Sequence, residues 1–288
     1  MVDFCMRVPA ADIRAFMEKW GLDGEDAPRG LTQEQELKIE LENPLLLHFT
    51  PQLALNGRPM PADHSCSLCY NPCLPEGMEN DPEGKQALEH YRLDPSAGWT
   101  FSRMAFPWAH SRRPAIKSLS LTMEQQPASL PGLRFRPAAP GEKFPFTHPT
   151  TGQTHTLTVE SLEQGTLLKE ALENDRWEYP THFLAMQYTL SPALPENTLS
   201  VRDCAQGDRP REKAPAAWAP TARAYAAVSI GIIGGADGPT AVFLSFPAGE
   251  KARRTAFSSL YFAPVEQVEW LLVFHEKRFA DMTFPLLF

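Results

Sequence analysis

The densest chemistry in the chain lies at residues 64–73, His64-Ser65-Cys66-Ser67-Leu68-Cys69-Tyr70-Asn71-Pro72-Cys73. Two thiolates separated by two residues can grip one metal from a tight turn, and Cys73 offers a third soft ligand. His64 could complete the Cys3His tetrahedron that zinc favours in structural sites; Cys204 or His48 could take that fourth place instead. Such a centre would staple a long loop, because metal affinity becomes folding free energy. The same thiols also read as small buried apolar residues, as a redox-active Cys66–Cys69 pair, or as a pocket nucleophile. An iron–sulfur cluster would have to draw its fourth cysteine from Cys204 or Cys5.

The second concentration is the glycine-rich run 231–240, Gly-Ile-Ile-Gly-Gly-Ala-Asp-Gly-Pro-Thr, with Gly234, Gly235, Asp237 and Gly238 as its candidate ligand loop. Taken by itself it is a strand–turn–strand. Asp237-Gly238 supplies the positive φ of a tight hairpin, and the Gly234-Gly235 pair permits a bulge or the close approach of another backbone. Its amides could cradle an anion, although the spacing is neither a P-loop nor a dinucleotide fingerprint. Residues 229–243 resemble the Gly-Gly-Ala-Asp-Gly-Pro-Thr signature in the β subunit of sodium-pumping, biotin-dependent decarboxylases. In that family the subunit crosses the membrane several times, and the resemblance implies a sodium-handling role for Asp237. The match covers fifteen of 288 positions. A sodium pathway needs several spanning segments, whereas no stretch here approaches ~20 apolar residues.

Other catalytic signatures are absent: there is no Gly-x-Ser-x-Gly elbow, no His-Glu-x-x-His and no Walker lysine. His148 and His155 flank Pro149-Thr150-Thr151-Gly152, a natural hairpin turn. Two histidines across a hairpin could share a metal, but partly exposed turn histidines are commoner. Asp203 and Cys204 followed by Gly207-Asp208-Arg209 mark a further turn, with Asp208 and Arg209 as a surface pair.

These residues must be positioned by short elements. Pro9 followed by Ile13, Phe16, Met17 and Trp20, with Gly21 as a stop, predicts a helix over 9–20. Leu37, Ile39 and Leu41 alternate with charged residues and predict a half-buried strand. Residues 56–98 predict irregular structure around the cysteines, with a short helix over 84–91. Strands are expected at 99–106, 116–123, 133–136, 154–159, 183–190, 198–201, 224–233, 240–246 and 258–262, interrupted by one helix near 161–174. The arms 270–275 and 282–287 predict a C-terminal hairpin. The expected fold class is therefore mainly β with a few short helices, as an antiparallel sandwich or barrel-like sheets, with a weakly marked duplicated β-unit. The organisation expected is an N-terminal helix and acidic linker over 1–30, a β segment with a cysteine-bearing loop over 31–115, and an antiparallel β domain over 116–288.

Composition narrows the function classes. A hydrophobic share of 43% against 22% charged residues can bury a core, and 28 prolines disfavour a helical bundle. The net charge of −8 argues against general nucleic-acid binding. No basic region leads into a long apolar run, five cysteines do not make a disulfide scaffold, and no membrane insertion is expected, so the cytoplasm is the expected location. The leading expectation is a soluble, non-enzymatic binding or assembly protein, with an unknown protein or small-molecule ligand, a zinc-stapled loop and scope for an oligomer. The alternatives are an enzyme using the Cys66–Cys73 segment as metal ligands or nucleophile, and a soluble partner of a sodium-pumping decarboxylase.

Overall fold

The computed structural model describes residues 2–22, 31–106, 115–168, 176–213 and 253–287. In chain order the elements are β1 (Val2–Val8), α1 (Ala10–Trp20), α2 (Gln33–Glu42), β2 (Phe49–Leu55), β3 (Arg58–Met60), β4 (His64–Tyr70), α3 (Pro82–His90) and β5 (Gly98–Ala105). There follow β6 (Leu119–Gln125), β7 (Ala128–Phe135), β8 (Lys143–Thr147), β9 (Thr154–Thr166), β10 (Trp177–Glu178), β11 (His182–Ser191) and β12 (Leu199–Asp203). The last are β13 (Arg211–Glu212), β14 (Arg254–Phe257), β15 (Trp270–Glu276) and β16 (Met282–Leu287). The described residues are mainly β, in several antiparallel sheets with no closed barrel, as the alternating pattern predicts. No helix among them is long and apolar enough to cross a membrane.

The chain forms two compact units. One comprises Met1–Leu31, Gln35–Ser129 and Glu276–Phe288; the other comprises Thr32–Glu34 and Leu130–His275. In the first, β1 and β4 flank β5 in an antiparallel sheet. Helix α1 buries Ile13 and Met17 beside Val8 and ends on Gly21 in the left-handed conformation, where only glycine is unstrained. Helix α3 starts on Asp81, whose side chain caps the Glu83 N–H, and packs Leu88 against Trp99 and Phe101. A second sheet of this unit has the order β16-β6-β2-β3.

In the second unit the sheets β14-β11-β9-β8 and β12-β15-β7 enclose one core. Leu157, Val159 and Met186 from one sheet meet Trp270, Leu272 and Phe274 from the other, all almost fully buried. This is sandwich packing, with alternate side chains of each strand turned inward.

Three local expectations are corrected. Residues 33–42 form helix α2, not a strand: Gln, Glu, Leu and Lys are good helix formers, and a three-residue alternation does not outweigh a ten-residue run of them. The helix expected near 161–174 is replaced over Ser161–Thr166 by the continuation of β9, which pairs with β11 and shifts register beside Glu160; residues 169–175 lie outside the described set. The C-terminal arms do not pair with each other. β15 is a central strand between β12 and β7, whereas β16 pairs with β6. Trp270 to Phe274 are buried on both faces of their strand, which an exposed two-stranded hairpin could not provide, and β15 lies instead between β12 and β7.

Candidate functional site

The cysteine segment is strand β4 rather than a loop. Its register with β5 sets Cys66 opposite Arg103 and Cys69 opposite Thr100. Successive side chains on a strand point to opposite faces, so residues three apart diverge. Cys66 and Cys69 therefore face away from each other, both exposed. His64 shares the face of Cys66 but bonds Asp63 at 3.0 Å in solvent. Cys73 lies beyond the strand, donating its thiol to the Ala10 carbonyl oxygen at 3.5 Å beside α1. The fold does not bring His64, Cys66, Cys69 and Cys73 to one point, and among the described residues no group of three or more His, Cys, Asp or Glu could hold a metal.

Thiol chemistry has little electrostatic help here. Burial pushes the Cys69 and Cys5 thiols up, and it raises Cys204, in the other unit, to about 11. A nucleophilic cysteine needs the opposite shift. Next to Cys66, Arg103 is already committed. Its Nε and Nη2 grip Asp3 at 2.7 Å each, and Tyr91 Oη donates to the same carboxylate at 2.5 Å.

Gly234, Gly235, Asp237 and Gly238 lie outside the described residues, as do the strands expected at 224–233 and 240–246. The chain on either side of that segment is fastened by acidic side chains. Asp203, 3% exposed, accepts from the Ala205 N–H at 2.8 Å, the Ser259 N–H at 3.0 Å and Tyr261 Oη at 2.7 Å. Burial raises its pKa against the pull of those three donors. Asp208 accepts from the Phe262 N–H at 2.7 Å, rather than pairing with its neighbour Arg209. Both carboxylates are spent on holding loops.

The hairpin histidines are buried, contrary to the expectation of partly exposed turn residues. Phe146 stands opposite His155 across β8 and β9 and stacks on it, with ring centres 5.5 Å apart. His148 packs edge-on to Phe274 and lies 6.2 Å from His155 between ring centres. His155 Nδ1 bonds the Pro192 carbonyl oxygen at 2.8 Å, which makes it the protonated nitrogen; Nε2 is left without a hydrogen-bond partner. His148 Nδ1 accepts from the Thr151 N–H at 3.3 Å. The two rings close one end of the core as aromatic packing.

The surface feature that sequence reasoning missed is β16. All six residues of Met282-Thr283-Phe284-Pro285-Leu286-Leu287 are exposed. Register explains how they are displayed. Met282 stands opposite Met123 and Pro51, Phe284 opposite Leu121 and Leu53, and Leu287 opposite Leu119 and Leu55. Directly opposed residues share a face. One face of this sheet is thus an apolar field, while the other carries Thr283, Thr122 and Gln52, with the two threonine hydroxyls 2.9 Å apart. Leu53 and Pro51 are buried, but cover stops short of the outer strand. A charge-free run of six residues, four of them Met, Phe or Leu, was the available signal. It was masked by the expected hairpin, which would have hidden it against residues 270–275.

Compared with known families, curated proteins and solved structures, the chain matches none.

Proposed function

We propose that this chain is a non-enzymatic binding or assembly protein and that its contact surface is the outer strand β16. The observation that carries the reading is the exposure of Met282, Phe284 and Leu287 together on the apolar face of the β16-β6-β2-β3 sheet, where, of the apolar side chains, only Pro51 and Leu53 are buried, with Leu286 exposed between them in the chain. Apolar side chains in water gain free energy on any contact that covers them, and a contiguous patch of this kind marks an interaction surface. The rest of the chemistry is consistent with structural duty: Asp203 is filled by three donors and Cys73 by a backbone carbonyl.

The reading is tested by placing a photoactivatable residue at position 286 in the full chain and irradiating intact cells. A discrete protein adduct is expected at 286 and not at the exposed control position Glu76. Equal, diffuse labelling at both positions would remove the reading.

A further inference from the structure

We draw no further inference here: the strongest candidate, the outer edge of strand β4 over residues 64–67, which is exposed and pairs with no further strand among the described residues, carries none because nothing in the structure shows what would pair with it.

Discussion

Asp3 shows how a single carboxylate is tuned by its neighbours. Arg103 meets it with two parallel hydrogen bonds and Tyr91 adds a third, while the Asp3 side chain is only 10% exposed. The hydrogen bonds from Arg103 are the main cause that lowers its pKa to about 2. A carboxyl whose pKa is lower folded than unfolded contributes its stability above the unfolded value, near 3.8, and loses it as the pH falls towards 2. Arg103 is 47% exposed, so solvent screening holds the contribution to about 1 kcal/mol. Asp3→Asn should therefore lower the unfolding free energy from urea titration at pH 6 by that order, and the gap from wild type should shrink between pH 4 and pH 2.5. A gap independent of pH would assign the loss to packing instead of charge. The cysteines differ from Asp3 in kind, since burial dominates and raises the thiols of Cys5, Cys69 and Cys204, and the strand period turns Cys66 from Cys69.

At the scale of elements, close approach decides where helix α3 can sit. Gly84 faces β4 so tightly that a Cβ on it would lie 2.6 Å from the Cys69 carbonyl oxygen. Helix propensity alone favours alanine over glycine by about 1 kcal/mol. The obstructing atom is backbone in a strand paired to β5, and it cannot swing aside as a side-chain end could. Sterics should win: Gly84→Ala is expected to destabilise the protein by about 1–3 kcal/mol in chemical denaturation, the usual range for overpacking. A variant as stable as wild type would show that α3 is free to ride outward.

For the molecule as a whole, the net charge of −8 and the exposed apolar strand β16 make opposite demands on any contact. Acidic surfaces repel one another through solvent, and salt screens that repulsion; a contact made through β16 is apolar, and salt does not weaken it. Cross-linking from position 286, repeated in cell lysate, should therefore hold level or rise between 50 mM and 500 mM sodium chloride. A tenfold loss of adduct over that range would mean that ion pairs, rather than β16, make the contact.

Local pattern determined much of this protein. Pro9, the apolar spacing of Ile13 and Met17, and Gly21 specify α1; alternation and turn residues specify β5, β6 and β11 to within a residue or three; and proline content excludes a bundle. These features depend on side-chain period and backbone sterics, which act over a few residues and are written in the chain. What tertiary structure alone decided is which strand lies beside which. It sent Cys66 and Cys69 to opposite faces by pairing their segment with β5, buried His148 against Phe274 and His155 against Phe146, and parted residues 270–276 from 282–287. Pairing is a competition among distant segments for burial and hydrogen bonds, so no window of neighbouring residues contains its outcome. The exposed apolar strip exists only because that competition was won elsewhere.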